Sequence, residues 1–598
     1  MDDEKVMLTD APADSAITAG LRKRWVQRET TARIDPAAPL VDRLLAARGL
    51  AADADSFLNP RLTQLHEPAL LHGIETAAER ILAAAKSGEP IVVYGDYDVD
   101  GITATAILVR TIKGLFPEAK VRAYIPHRAR EGYGLNSPAI TELAAEGTKL
   151  IVSVDCGITA VEPAATARAL GVDLIITDHH EPPATVDDLP DALAVLHPRH
   201  PAGAYPFADL CGAGVAYKLA WKLMTASVGE KRVTPKLRAL LIDLLGLAAL
   251  GTVADIVPLL DENRAITRFG LGRITESPFI GIKALIEASG MAGEKIDAER
   301  VGFGLGPRLN SCGRMGHARE AVELLLTEDA TRAQAIAERL CRLNEERRAT
   351  EKRIADQAAE MAESAGMTNG THRAIVLAHE DWHPGVVGIV CSRLVERFGR
   401  PTILMQRSGA DGSVMCAGSG RSIDGFNLHA ALVACSDHLT SFGGHDMAAG
   451  LKLDADRLDG FAEAFGEHAG AHLTADDVIP SVRYDLDADL TELTPGAVES
   501  LDALAPFGRG NPTPRLRISG GQARDVRPFG KRGDHLSLRI ESTGARRQAI
   551  RVVMWRQAEL AARVIAGAPI EVVGTPKLNS FNGRVTVEID GVDVRQSG

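Results

Sequence analysis

Aromatic residues are scarce in this chain, at 4%, and cysteine is scarcer still, with 7 in 598 residues. Those thiols, Cys156, Cys211, Cys312, Cys341, Cys391, Cys416 and Cys435, are scattered, odd in number and without a C-x-x-C pair. That excludes a disulfide framework and a zinc knuckle, and is the pattern of a reduced cytoplasmic protein. An excess of positive charge is missing as well. The formal net charge is -12, which argues against a protein that coats nucleic acid indiscriminately but leaves room for a local basic groove. The most apolar stretch, 244–254, is bracketed by Asp243 and Asp255 and falls far short of the ~20 residues that a membrane span needs. Met1-Asp2-Asp3-Glu4 is acidic and offers no apolar signal core, so a secretory leader is not expected. The expectation is a soluble protein with no membrane partner.

What the chain has instead is length and pattern. At 598 residues it is too long for one core, so several domains are expected. The stretch that organises them is Tyr94-Gly95-Asp96-Tyr97-Asp98-Val99-Asp100-Gly101. It lies between an apolar run at 91–93, which reads as a buried strand, and a helix expected over 103–115. Alternate side chains of an extended segment point the same way, so Asp96, Asp98 and Asp100 are candidates to converge. Converged carboxylates repel unless a cation sits among them, and hard divalent cations prefer such oxygens. Taken alone, the same turn reads more simply as solvated surface carboxylates.

Downstream, strands at 121–125, 150–154 and 172–177 alternate with helices at 139–146 and 160–170, which predicts a doubly wound parallel sheet. Such sheets bind ligands beyond the carboxyl ends of their strands. Each polar oddity of the region falls there. The Asp run follows the first strand, and Pro126-His127-Arg128-Ala129-Arg130-Glu131-Gly132-Tyr133-Gly134 the second. Asp155-Cys156-Gly157 follows the third and Asp178-His179-His180 the fourth. Four loops meeting at one crevice point to a metal site. Asp255 interrupts an apolar run, and a carboxylate in apolar surroundings is costly unless paired or bound to metal. It reads as a further ligand, or as a helix-end Asp facing water.

Gly306-Pro307-Arg308-Leu309-Asn310-Ser311-Cys312-Gly313-Arg314 reads as a loop offering guanidinium and amide groups to an anion, or as a plain surface loop. From 320 to 365, apolar residues recur at helical spacing in a charged background, which predicts a long connecting helix or helix pair that sets the distance between two domains. A second α/β unit opens at 374–378. It carries Gly418-Ser419-Gly420-Arg421-Ser422 and Phe442-Gly443-Gly444-His445-Asp446, whose backbone amides suit a phosphate. The lone His383 reads as structural. Strand-like pieces at 516–518, 536–540, 550–554, 570–573 and 585–589 predict an OB-like barrel. Basic residues crowd its first half: Arg515, Arg517, Arg524, Arg527, Lys531, Arg532, Arg539, Arg546, Arg547, Arg551 and Arg556. With Phe529 and Trp555 as stacking faces, that is the make-up of a single-strand groove, or else ordinary solubilising charge. The expected boundaries are a helical segment 1–75, an α/β domain 76–280, a helical connector 281–370, a second α/β domain 371–478 and a barrel 479–598.

Taken together, Asp96-Tyr97-Asp98-Val99-Asp100-Gly101, Val154-Asp155-Cys156-Gly157, Asp178-His179-His180 and Val253-Ala254-Asp255 resemble the DHH phosphoesterase superfamily. The 128–134, 306–314, 382–390, 418–422 and 443–445 stretches, with Pro506-Phe507-Gly508-Arg509-Gly510-Asn511-Pro512, resemble its RecJ family of single-strand-specific 5′→3′ exonucleases, over a span from about residue 70 to the C-terminus. The resemblance implies a DHH domain, a DHHA1-like second domain, and two ions, Mn²⁺ or Mg²⁺. It places Asp98, Asp100, Asp155, His179 and Asp255 as metal ligands, with Asp155 bridging. Many superfamily members carry a His where this chain has Tyr94, and Asp96 is the nearest replacement ligand. His180 falls at the position facing the scissile phosphate, and Asp178 stands with it and Asp155 as catalytic. Arg128, Arg308, Asn310, Arg314, Arg421 and His445 fall in motifs that hold substrate. The implied activity is release of 5′-mononucleotides from single-stranded DNA in recombination and repair, by a cytoplasmic monomer working with a single-strand-binding protein and a helicase. The rivals are a DHH enzyme for small substrates such as pyrophosphate or dinucleotides, opposed by the connector and the basic barrel, and a non-catalytic scaffold, opposed by the complete ligand set.

Overall fold

The computed structural model describes residues 18–128, 131–229, 233–410, 413–543, 547–581 and 583–596. The acidic start of the chain, Ala129, Arg130 and Arg546 therefore lie outside the described residues. The chain divides into two compact units, one of 55–349 with 505–512, the other of 1–54, 350–504 and 513–598.

In the first unit, five parallel strands run in the spatial order Val121–Tyr124, Ile91–Gly95, Leu150–Val154, Asp173–Thr177, Ala194–Leu196. The short last strand is one that periodicity did not show. Ile91–Gly95 and Leu150–Val154 are buried at every position, as central strands covered on both faces must be. The strand order reverses between these two neighbours, so the crevice at the sheet's switch point opens where their following loops, 96–98 and 155–157, emerge.

The helix after the first strand starts earlier than expected, at Val99, and runs Val99–Leu115. Asp98 is its N-cap, with its carboxylate accepting from Asp100 N and Gly101 N. Helix Pro235–Ala254 is 20 residues long, and its most apolar window has a mean hydropathy of 1.8. By length and composition it could cross a membrane, and the 244–254 count missed its first half. Here it is a core helix: residues 244–252 are all buried, and it packs on helices Val99–Leu115 and Asp261–Thr275.

Residues 281–349 do not stand apart as a connector. Leu285, Leu305, Leu309, Leu324, Ile336 and Leu340 join the same hydrophobic core as the sheet, because their periodic apolar faces need a partner and the sheet's helices supply one. The 306–314 stretch is a helix, Gly306–Met315, not a loop. Pro307 sits in its first turn, directly after the helical residues 298–305, where it lacks the N–H that would continue the ladder. The long helix is one element of 35 residues, Ala330–Ser364.

In the second unit, the expected N-terminal helical segment begins with strands. Arg24–Gln27 pairs in parallel with Ser481–Tyr484, and the buried Trp25 donates its indole N–H to Asp593 Oδ2 at 2.9 Å. A mixed sheet, Ser441–Gly444, Ala448–Asp454, Ser413–Arg421, Thr402–Ala410, Ile375–His379, carries the glycine-rich strands. His383 caps helix Pro384–Phe398, its Nδ1 accepting from Gly385 N, a structural role as expected. Leu516–Phe529, His535–Ser542, Ala549–Met554, Arg584–Arg595 and Pro569–Phe581 close into a five-stranded barrel, the first pairing with the last.

Candidate metal centre

The first carboxylate to be placed is Asp100. One of its oxygens accepts from Gly212 N at 2.6 Å and the other from Ala213 N at 2.9 Å, the first amides of helix Gly212–Val228. A helix N-terminus favours an anion by its free amides and its dipole. Only glycine fits at 212, since a Cβ there would lie 2.6 Å from Asp155 Cβ. Asp155 itself is buried in the left-handed region at φ 60, a conformation that costs a non-glycine residue energy and clusters at functional sites. Asp255 caps the C-terminus of Pro235–Ala254, and Ile256 beside it is at φ 59.

The expected convergence of Asp96, Asp98 and Asp100 on one point does not occur, because the chain turns helical at Val99. The three divide between two clusters. Asp96, Asp98 and Asp155 offer ligand atoms all within 4.8 Å of one another; so do Asp100, His179 and Asp255, and so do Asp155, His179 and His180. Asp155 and His179 are thus each shared. His179 Nε2 lies 3.1 Å from Asp155 Oδ1, 3.6 Å from Asp255 Oδ2 and 3.7 Å from Asp100 Oδ2. Asp96 Oδ1, Asp155 Oδ1 and His179 Nε2 are buried and make no hydrogen bond. Unsatisfied buried atoms in overlapping donor groups fit cations, which need lone pairs and offer no competing donor.

The electrostatics agree. Burial, then the charge of Asp98, pushes Asp96 up to about 8. Burial, then Asp100 and Asp98, pushes Asp255 up to about 8, and burial with Asp100, Asp98 and Asp96 drives Asp155 well above the ordinary carboxylate range. Burial also lowers His179, which keeps its imidazole neutral and its lone pair available.

His180 differs from its neighbour. Its Nδ1 lies 2.7 Å from Asp178 Oδ1. Asp178 also accepts from Ile158 N, His179 N and His180 N, so both oxygens are engaged. Burial opposes charge on both residues, but their mutual hydrogen bond wins: Asp178 is held down to about 2 and His180 is lifted to about 9. Asp178 therefore acts through His180. Tyr133, read only as part of the 126–134 loop, and His197, which pattern reading passed over, complete this corner. The Tyr133 hydroxyl is 3.1 Å from His180 Nε2, and His197 Nε2 lies 2.7 Å from the His180 carbonyl. Tyr94 does not reach the clusters; its buried hydroxyl donates to Gly134 O and accepts from Asn136 Nδ2.

The expected substrate residues scatter. The Arg128 guanidinium lies 4.9 Å over the Tyr97 ring, and the charge of Arg314 also acts on Tyr97. Asn310 Oδ1 accepts from Val99 N at 3.1 Å, so it braces the Asp98–Asp100 turn. Arg308 points into its own helix layer, donating to Gly304 O and Cys341 Sγ. Arg509 carries its charge toward Asp255, on a segment anchored by the bond from Leu259 N to Arg509 O. The motif Pro506 to Pro512 gave no hint of that placement. In the other unit, a groove is lined by Gly418, Ser419, Phe442, Gly443 and Lys452. Arg421, at the end of the same strand as Gly418 and Ser419, donates to Gly420 O, and His445 is exposed.

The barrel is less basic than its arginine count. Arg517 pairs with Asp487, Arg539 with Asp525, and Arg551 with Glu588. Arg527, Lys531 and Arg532 are exposed. Phe529, His535 and Trp555 form a mutually packed trio with centroids 4.8 to 5.9 Å apart.

Comparison with known proteins agrees with this arrangement. Residues 90–252 match the DHH family N-terminal domain, 371–470 the DHHA1 domain and 484–593 the RecJ OB domain. The single-stranded-DNA-specific exonuclease RecJ of Bacillus subtilis is 40% identical over 91% of this chain, which spans 66% of that protein. RecJ of Dickeya dadantii is 37% identical over 84% of this chain and 87% of its own length. The crystal structure of Thermus thermophilus RecJ in complex with Mn²⁺ superposes over 96% of this chain and 80% of its own, with a TM-score of 0.77 and 32% identity. With its DHH, DHHA1 and OB domains in the same order, the chain belongs to the RecJ family of single-stranded-DNA-specific exonucleases.

Proposed function

We propose that the chain hydrolyses single-stranded DNA from its 5′ end, releasing 5′-mononucleotides, with two Mn²⁺ or Mg²⁺ ions. The observation that carries this is the sharing of Asp155 and His179 between overlapping donor groups, with Asp96 Oδ1, Asp155 Oδ1 and His179 Nε2 buried and without a hydrogen-bond partner. Asp96, Asp98 and Asp155 would hold one ion, and Asp100, Asp155, His179 and Asp255 the other. Bound there, such ions acidify a water and stabilise charge on the attacking and leaving oxygens. The imidazole among carboxylates suits Mn²⁺.

The chain's own groups do the rest. His180, charged at neutral pH, donates to a non-bridging phosphate oxygen as negative charge builds. Asp178 orients its ring and keeps the proton on it. Gly212 and Ala213 amides fix Asp100, and Asn310 fixes the turn that presents Asp98. Arg128, Arg314 and Arg509 supply positive charge for the strand beside the centre. In the other unit, Arg421, His445 and the glycine groove offer a second phosphate-binding surface, and the exposed barrel bases and aromatic trio a third. A helicase that frees a 5′ end and a protein that keeps it single-stranded are the partners this reaction calls for. The setting is the DNA-containing cytoplasm, with one copy of the chain as the working form.

The test is digestion of a single strand labelled at either end, in Mn²⁺, beside Asp155→Ala and a dinucleotide substrate. Label released first from the 5′ end, with Asp155→Ala folded but inactive, is the expected result. Release from the 3′ end, hydrolysis confined to the dinucleotide, or an active Asp155→Ala would each overturn the reading.

A further inference from the structure

The five residues before Gly306 form a π-turn, Val301–Leu305, closed by the bond from Gly306 N to Val301 O. Such turns are rare and concentrate at functional sites. Val301 and Leu305 are buried, while Phe303 between them is 83% exposed, the most exposed large apolar side chain among the described residues. In a chain with so few aromatics, that ring covers no core. Its neighbours Gly302 and Gly304 carry no side chains, so neither face of the ring is shielded by the adjoining residues.

The turn is held firmly and sits next to the metal centre. Arg308 donates to Gly304 O at 2.7 Å, which ties the turn to the helix that follows. A Cβ placed on Gly302 would lie 3.9 Å from Val253 Cγ1, and one on Gly306 3.7 Å from Ala254 Cβ. The turn therefore packs on the two residues that precede Asp255. Ile256, which follows Asp255, is 64% exposed and sits at φ 59, a conformation a β-branched residue adopts only when its surroundings impose it. An exposed apolar side chain, Ile256, thus follows Asp255 in sequence, and the turn that carries Phe303 packs on the two residues before it.

We infer that Phe303 is a base-stacking residue, whose exposed ring takes a nucleobase of the single strand beside the metal centre. The inference rests on the proposed single-strand substrate. A flat ring presented on a braced backbone suits stacking because every base has a π-face, so the contact tolerates any sequence. It would hold the strand by its bases while the arginines hold its phosphates. Arg308, in this reading, is a positioning residue for the π-turn.

The experiment compares Phe303→Ala and Phe303→Trp with the unaltered chain. The substrates are a 5′-phosphorylated dT12 and the same strand with abasic residues at its first four positions. Phe303→Ala is expected to raise KM on the intact strand about tenfold, in line with alanine substitution at stacking sites, with kcat within about twofold. Phe303→Trp should restore KM. On the abasic strand the alanine variant and the unaltered chain should not differ. An unchanged KM on the intact strand, which would leave the ring to a protein partner, overturns the inference. So does an equal loss on both strands. Affinity of the two strands for Asp155→Ala protein, with and without Phe303→Ala, separates this from the hydrolase reading. A base-dependent loss of binding in protein that never cleaves DNA upholds stacking while the reaction falls; no base-dependent loss removes the stacking whatever the protein cleaves.

Discussion

Asp155 Oδ1 stands 3.1 Å from His179 Nε2, and neither atom has a hydrogen-bond partner. Two buried polar atoms face each other across a distance that would suit a bond; with the His179 ring proton on Nδ1, both offer lone pairs. In that tautomer the arrangement is stable only with something positive between or beside them, or with a proton on the carboxylate.

That choice is measurable. Asp96 and Asp255, pushed up to about 8, hold protons at neutral pH in the metal-free chain. Mn²⁺ must displace them, so its binding should release protons and tighten as pH rises from 6 to 8. The sign for stability follows from the same raised values. The contribution of these carboxyls is fully present below about pH 4, their unfolded range, and is lost as pH rises through about 8. Metal-free protein should therefore lose thermal stability over that window, and saturating Mn²⁺ should restore it by about 2.7 kcal/mol at a hundredfold excess over Kd. Calorimetric titration in buffers of different ionisation enthalpy, with melts in chelator, checks both.

His180 and Asp178 act as one device, since the carboxylate does nothing for the substrate except through the imidazole. Asp178→Asn should lower kcat by about 10–100-fold, the range for losing a partner that orients a key side chain. The double variant with His180→Ala should be no slower than His180→Ala alone, because residues acting as a unit are not additive. Single-turnover rates on a labelled strand give the comparison, and full additivity would separate the two residues.

Gly212→Ala should be harmful even though alanine is favoured over glycine in a helix by about 1 kcal/mol. The added carbon would press on Asp155 at 2.6 Å and shift the carboxylate common to the Asp96–Asp98–Asp155 and Asp155–His179–His180 groups. The expected outcome is a folded protein with weakened Mn²⁺ binding. Ordinary affinity by titration would show that the helix end can retreat.

On the barrel, replacing Arg527, Lys531 and Arg532 with alanine should flatten the slope of log K against log salt by about 0.7 for each residue that contacts a phosphate. Trp555→Ala should weaken binding by about 1–3 kcal/mol without altering that slope. The paired Arg517, Arg539 and Arg551 should matter less, since their charge is already spent on Asp487, Asp525 and Glu588. Titrations at several salt concentrations with cleavage disabled by Asp155→Ala distinguish these contributions.

How much of this was legible beforehand depends on whether the cause is local. The alternation of strands and helices, the four loops at one sheet end and the closing barrel follow from apolar periodicity and turn residues, which act over a few positions. So do the candidate metal residues of the 96–100, 155 and 179–180 loops, because strand ends deliver their loops to one crevice whatever the rest of the chain does; Asp255 comes instead from a helix end. Even the early helix start had a local sign: Asp98 is a favoured N-cap residue with a carboxylate two positions later. The rest required the chain to be folded. Nothing near Arg308 in sequence says that its guanidinium turns to Gly304 O and Cys341 rather than to substrate. Nothing near Asn310 says that it braces Val99, or near Arg509 that its charge falls on Asp255. The division of Asp96, Asp98 and Asp100 between two clusters, and the merging of 281–349 with the core of the sheet, depend on residues far apart in sequence being packed together. Periodicity names which face of an element is apolar. Only packing decides what that face meets, and so where the polar side chains between those faces are left to point.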